Sequence, residues 1–243
     1  MKLSNISTKA PKLISKEKTH DKTEKLKSEL FDLQSVLRAE SKHGILIVLQ
    51  GRDAAGKDGT VKRVFSGLDP AGVSVFAFKQ PTKMELSHDF LWRVHPIVPP
   101  KGMIHIFNRS HYEDIIVPTV HRTFDRKLIG KRYDHINHFE EMLQDEGTRV
   151  LKFYLHISPE EQARRFDDRV VDPKKRWKYN INDFAEAKLW DRYTEVYERI
   201  LDRSSVKWNV IPADDKWYRN YLVLKAVVQE LQNLKMKYPP LED

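Results

Sequence analysis

The 243-residue chain contains no cysteine, which excludes disulfides, thiolate metal sites and a cysteine nucleophile and agrees with a reducing compartment. It also lacks an apolar leader, because MKLSNISTKAPKLISKEK has no hydrophobic stretch of the signal-peptide kind. No run approaches the roughly 18 apolar residues that a bilayer span requires. These absences predict a cytoplasmic protein with no membrane partner. Internal repeats are missing, as is any low-complexity block beyond the N-terminal arm. Charge of both signs is plentiful, but 43 Lys and Arg against 35 Asp and Glu leave a net +8. Such a surplus attracts polyanions without distinguishing nucleic acid, anionic lipid and phosphate substrates.

With 40% hydrophobic residues the chain can bury one compact core. Residues 1–20, rich in Lys, Ser and Thr, are expected to form a mobile basic arm, and 21–243 a single domain. Leu26, Leu30, Leu33 and Leu37 have helical spacing, with Asp21 and Glu24 placed as a capping pair. Short apolar runs follow at 45–50, 73–78, 103–107, 150–157 and 207–213. Helical patterns lie near 58–68, 84–94, 133–146, 160–169, 183–203 and 216–236. Strands apolar on both faces that alternate with helices predict a three-layer α/β domain with a parallel sheet of about five strands.

The first run leads into GRDAAGKDG, residues 51–59, which has the G-x-x-x-x-G-K spacing of a phosphate-binding loop. Gly51 and Gly56 let the backbone curl so that the N–H groups around Ala54, Ala55 and Gly59 face one anion-sized hollow. The following helix adds its positive end, and Lys57 reaches phosphate oxygens. Where such loops usually place Ser or Thr after the lysine, this chain has Asp58. A carboxylate is also a hard oxygen ligand, and Asp53 offers a second, so two acids beside a phosphate nest point to a cation between them. The alternative for Asp58 is a first-turn acid stabilised by the helix dipole.

The third apolar run ends in FNRSHYEDIIV, residues 107–117. This places Asn108, Arg109, Glu113 and Asp114 at the carboxyl edge of the sheet, where open α/β folds bind ligands. Asn108 stands where a Walker B strand carries its acid; Glu113 and Asp114 either replace that acid or cap a helix. The segment 163–184 is dense in basic residues, including Arg164, Arg165, Arg169, Arg176 and Lys178, and is broken by Pro173. Folded over the loop, it brings cationic side chains to transferring phosphate. A solvated charged helix is the alternative.

The ten histidines show no zinc-protease spacing, and Ser110 with His111 shows no triad pattern. Trp177, Trp190 and Trp208 are expected to pack within the fold.

Taken together, LQGRDAAGKDGTVKRV, FKQPTKMELSHDFLWRVH, FNRSHYEDIIV and DDRVVDPKKRWKYN resemble the polyphosphate kinase 2 family, and the resemblance extends from about Leu37 to Tyr238. It implies a P-loop kinase fold similar to thymidylate kinase, with a helical lid near 160–185. It also implies Mg²⁺, with Mn²⁺ as an alternative, and reversible phosphoryl transfer between inorganic polyphosphate and nucleotides. By that resemblance Asp53 and Lys57 match the Walker A acid and lysine, Arg109 the Walker B arginine and Arg169 the lid arginine. FNRSHYED resembles the subgroup called class III, which accepts AMP and ADP; there Asp58 and Glu113 are linked to acceptor handling. Asn108 departs from the Walker B aspartate, which shifts the metal expectation to Asp53, Asp58 and Glu113.

Lys62, Arg63, Arg122, Arg165, Arg176 and Lys178 are the candidates for a path along polyphosphate. The expected partners are polyphosphate and adenine nucleotides, with guanine nucleotides as an extension, in a homodimer or homotetramer. A nucleoside monophosphate kinase using ATP is the nearest alternative. A nucleic-acid-binding domain is disfavoured, since acids interleave with the basic residues and no aromatic single-strand motif or recognition helix is found.

Overall fold

The computed structural model describes residues 1–241, so the last two residues of the expected 21–243 domain lie outside it. In chain order the main elements are α1 (Lys16–Glu40), β1 (Gly44–Gly51), α2 (Lys57–Val64), β2 (Val73–Ala77), α3 (Lys83–Leu86), β3 (Ile104–Asn108), α4 (Glu113–His121), α5 (Arg126–Asp145), β4 (Thr148–His156), α6 (Pro159–Val171), α7 (Ile181–Ala187), α8 (Trp190–Arg203), β5 (Trp208–Pro212) and α9 (Lys216–Asn233). The strands form one parallel sheet in the order β2-β3-β1-β4-β5. This is the three-layer P-loop kinase architecture that the alternation of apolar runs and helices predicts.

Strand β1 is central and buried along its length. Ile45, Ile47 and Leu49 face one layer, where they join Leu30 and Leu37 of α1 and Val223 and Val227 of α9. Leu46 and Val48 face the other and join Phe107 and Phe139. Ile115 of α4, Ile136 of α5 and Ile200 of α8 extend that second layer. A strand covered on both sides must be apolar on both, which is why ILIVLQ reads as an unbroken run.

Several boundaries differ from the sequence expectation. Helix α2 ends at Val64 and not at 68, and α5 begins at Arg126 and not at 133, because Asp125 caps it by accepting from the Leu128 N–H at 2.7 Å. Helix α1 starts at Lys16, inside the stretch expected as an arm, because Ser15 caps it by accepting from the Lys18 N–H at 3.2 Å. The helix expected at 84–94 stops at Leu86, where Asp89 Oδ1 accepts from the Leu91 N–H and turns the chain. The pattern at 183–203 divides into α7 and α8 around Lys188 and Leu189. Helix α4, which was not among the expected helical patterns, contains Pro118. Proline has no N–H for the Asp114 carbonyl, and Arg132 Nη1 donates to that carbonyl instead, at 2.6 Å.

Residues 1–15 run along the outside of the domain and are held at two places. The Leu3 side chain is buried in the cluster that includes Tyr154 and Tyr197, and its N–H donates to Glu198 Oε1 at 2.8 Å. Further on, Thr8 Oγ1 donates to Asp214 and the Ala10 N–H to Asp215.

Candidate active site

β1 delivers the chain to Gly51, and α2 begins directly after Gly56. Gly56 has φ +103°, and a Cβ there would lie 2.0 Å from Arg219 Nη1. Only glycine satisfies both the backbone angle and that close approach. Ala54 and Arg109 also adopt positive φ, 61° and 63°. Side chains rarely take that region, and such residues concentrate where a surrounding structure holds them for function.

The loop is braced from below. Arg165 of α6 donates to the carbonyls of Ala54, Ala55, Ala213 and Asp214 and pairs with Glu161. Gln162 Nε2 donates to the Asp53 carbonyl at 2.9 Å. Arg52 lies 3.7 Å over the Trp190 ring and donates to the Trp190 carbonyl at 2.8 Å, tying the loop to α8. Lys57 Nζ donates to the carbonyls of Gly51 and Arg52 at 2.7 and 3.1 Å. Burial and the nearby Arg109 charge push the Lys57 ammonium down to about 8, although Asp53 pulls the other way.

A cleft of about 720 Å³ opens above the loop. It brings together Asp53, Ala54, Gly56, Lys57, Asp58, Gly59, Arg109, Arg165, Arg169 and Lys178 of the expected site. Burial raises the Asp53 carboxyl, but the charges of Arg109 and Lys57 outweigh it and hold the group below its ordinary range. Asp53 forms an ion pair with Arg109, and Arg109 also reaches Glu113 at 3.3 Å. Asp58 accepts from Asn108 Nδ2 at 2.8 Å and from Lys178 Nζ at 2.7 Å. Those bonds overcome its partial burial and lower its carboxyl. Arg169 pairs with Asp183. Lys178 therefore connects the 160–185 segment directly to the first turn of α2.

Several expected positions lie elsewhere. Glu113 and Gly51 line a smaller polar pocket behind Arg109, where Gln50 Nε2 donates to Glu113 at 2.9 Å. Ala55 is buried in the core under the loop. Lys62, Arg63, Arg122 and Arg176 do not line the cleft, and Arg176 Nε turns back to the Val170 carbonyl at 3.2 Å. Arg165 lines it, but its guanidinium is committed to the loop carbonyls and Glu161, so its visible work is to hold the loop. Trp177, expected to pack, is 77% exposed and lines the cleft. Trp190 stacks under Arg52, and Trp208 Nε1 donates to Ser204 Oγ at 2.9 Å.

The three acids expected at a cation do not converge, and among the described residues no group of three or more His, Cys, Asp or Glu is placed to hold a metal ion. Asp53 and Asp58 do share the cleft. That donor set fits Mg²⁺, which is commonly held by one or two carboxylates together with substrate phosphate oxygens and water rather than by an all-protein cage.

The cleft also exposes residues that sequence reasoning missed: Lys79, Asn180, Asp183, Lys216 and Arg219. For Arg219 a signal was present. It sits four residues before Val223 and eight before Val227, both fully buried, so a charge occupies the core-facing stripe of a helix.

The polyphosphate kinase 2 family model matches residues 13–239. An AMP/ADP-polyphosphate phosphotransferase of Meiothermus ruber is 50% identical over 220 residues, 89% of this chain and 82% of that protein. An ADP-polyphosphate phosphotransferase of Rhodopseudomonas palustris is 39% identical over 240 residues, 93% and 83% of the two chains. The crystal structure of polyphosphate kinase 2 from Arthrobacter aurescens superposes with a TM-score of 0.96 at 36% identity, covering 100% of this chain and 89% of that one. A phosphate loop with this bracing, matched over nearly the whole chain, makes the protein a member of the polyphosphate kinase 2 family.

Proposed function

We propose that the protein is a polyphosphate:nucleotide phosphotransferase that moves a phosphoryl group from inorganic polyphosphate to AMP or ADP, reversibly. The observation that carries this reading is the charge arrangement of the cleft. Its three acids, Asp53, Asp58 and Asp183, are each paired with a cation, while Lys57, Lys79, Lys216 and Arg219 remain in surplus. A surplus of that size suits a donor and an acceptor that are both polyanions. The names of the Meiothermus and Rhodopseudomonas relatives support the same donor and acceptors.

The acceptor needs no general base, because the second ionisation of a phosphate lies at about 6 and its oxygen is already largely charged at neutral pH. The protein's work is then alignment and charge compensation. The N–H groups of the phosphate loop and Lys57 hold phosphate oxygens near the point of transfer. Arg109 and Arg169 each bring a guanidinium to the charge that spreads over the transferring group, while their present partners Asp53 and Asp183 keep them oriented. Asp53 and Asp58 are the residues that would hold Mg²⁺ or Mn²⁺, and the cation would offset phosphate charge when bound. Segment 160–185 acts as a lid, a reading supported by the Lys178 to Asp58 contact. The same proposal extends to guanine nucleotides, to a single catalytic domain over 21–243 with the N-terminal segment appended, and to a cytoplasmic homodimer or homotetramer, which sedimentation tests.

Purified protein with Mg²⁺, long polyphosphate and AMP or ADP is expected to form ATP. Asp53→Asn and Lys57→Ala should each lower the rate by about a hundredfold or more while the fold is kept. Near-normal transfer by both variants would show that the assignment is wrong. Turnover with ATP and a nucleoside monophosphate, but none with polyphosphate, would make the protein a nucleoside monophosphate kinase.

A further inference from the structure

Four of the basic side chains lining the cleft have carboxylate partners: Arg109, Arg165, Arg169 and Lys178. Among the others, Arg219 is in an unusual position. It is 2% exposed, and among the described residues no carboxylate lies within ion-pair distance of it. Nη1 donates to the Ala55 carbonyl at 3.2 Å, and Nε and Nη2 both donate to Asn220 Oδ1, at 3.1 and 2.9 Å. Of its five N–H donors, two are left without a partner.

A buried guanidinium without an anion is unfavourable, and its surroundings make it more so. Burial and the neighbouring Arg165 charge push Arg219 down to about 9. The two glycines nearest its guanidinium belong to the phosphate loop and the first turn of α2. Added Cβ atoms at Gly56 and Gly59 would lie 2.0 and 3.4 Å from it. Lys216, one turn earlier on α9, lines the same cleft, and burial with Arg165 lowers its ammonium too. Helices α6 and α9 follow β4 and β5, on the opposite side of β1 from β3, which carries Asn108 and Arg109. Arg219 and Lys216 therefore make a cationic wall on the β4 and β5 side of the loop, behind which Arg165 is committed to Glu161 and the loop carbonyls.

We propose that Arg219, assisted by Lys216, binds phosphate groups of the donor chain beyond the one transferred, and so sets the affinity for polyphosphate by its length. This rests on the polyphosphate-donor reading above. The anion that offsets Arg219 is the internal phosphate of an inorganic chain. Its repeating single charges need no base recognition.

The test compares wild type, Arg219→Gln and Lys216→Gln. The measurements are KM for short and long polyphosphate at saturating ADP, KM for ADP, calorimetric binding of polyphosphate without nucleotide, and melting temperature. Arg219→Gln should raise KM and Kd for long polyphosphate about ten- to a hundredfold, the range for a charged hydrogen bond. Its KM for ADP should stay within about twofold, and it should melt at or above wild type because an unpaired buried charge is gone. Lys216→Gln, less buried, should raise the polyphosphate KM about three- to fivefold. A folded Arg219→Gln with unchanged polyphosphate KM and Kd overturns the proposal. So does equal weakening of ADP and polyphosphate with a lower melting temperature, which would mark Arg219 as a prop of the loop. If Arg219→Gln does not fold, Lys216→Gln decides: an unchanged polyphosphate KM overturns the proposal and a selective increase supports it. Wild type that makes no ATP from polyphosphate defeats the donor reading itself, and this inference falls with it.

Discussion

Gly56→Ala tests whether the phosphate loop and the buried arginine beside it are one packed unit. At φ +103° a side chain is strained by about 1–2 kcal/mol. The new methyl would also sit 2.0 Å from Arg219 Nη1 and 2.9 Å from its Cζ. The tip of an arginine can often move aside, but this one is buried and bonded to Ala55 and Asn220, so overpacking should add about 1–3 kcal/mol. Together the cost is roughly 2–5 kcal/mol, which for a domain of this size lowers the melting temperature by about 5–20 °C. Calorimetry or thermal circular dichroism measures it. A loop displaced by about 1 Å should also cost roughly a hundredfold in turnover. Adding Arg219→Met should recover part of the lost stability, since the two sites are in contact. The matched control is Gly130→Ala within α5, where an added Cβ meets nothing within 4 Å; it should stabilise by about 0.5–1 kcal/mol. A Gly56→Ala protein melting within about 2 °C of wild type with intact turnover would refute the reasoning.

Three further outcomes follow from buried charge. With the Lys57 ammonium lowered from 10.5 to about 8, kcat/KM should fall as pH rises through about 8, and Lys57→Arg should abolish that limb whatever its residual rate. Stability should move the other way. Between about pH 8 and 10.5 the unfolded chain holds the Lys57 proton more tightly than the folded one, so this group's contribution to stability rises with pH, and a pH titration of urea unfolding separates the two trends. Lys152 and Glu140 form a fully buried ion pair, with His111 Nε2 at 3.2 Å from the same carboxylate. Lys152→Ala should cost about 3–5 kcal/mol in urea unfolding by stranding Glu140, whereas Lys152→Met with Glu140→Leu should recover most of it.

Much of the fold was legible because a parallel sheet covered on both faces leaves a plain mark. The five apolar runs became the five strands within two residues at each end. Where reading failed, a single side-chain bond had decided the local backbone, once from a distance and once from two residues away. Helix α4 was not among the expected helical patterns; it contains Pro118, and Arg132, fourteen residues later, donates to the Asp114 carbonyl that proline leaves free. The run at 84–94 had helical spacing, but Asp89 turned the chain first.

The sequence by itself determined the phosphate loop, the position of Asp53, Lys57, Arg109 and Arg169, and the family, because these depend on residue types at short spacings and on the strand that precedes them. The tertiary structure alone decided which charges face one another. It turned Glu113 behind Arg109, committed Arg165 to the loop carbonyls and carried Lys178 to Asp58, 120 residues away. It also set Arg219 against Gly56, 163 positions earlier in the chain. Electrostatic pairing acts through space over a few ångströms, and spacing along the chain does not encode it.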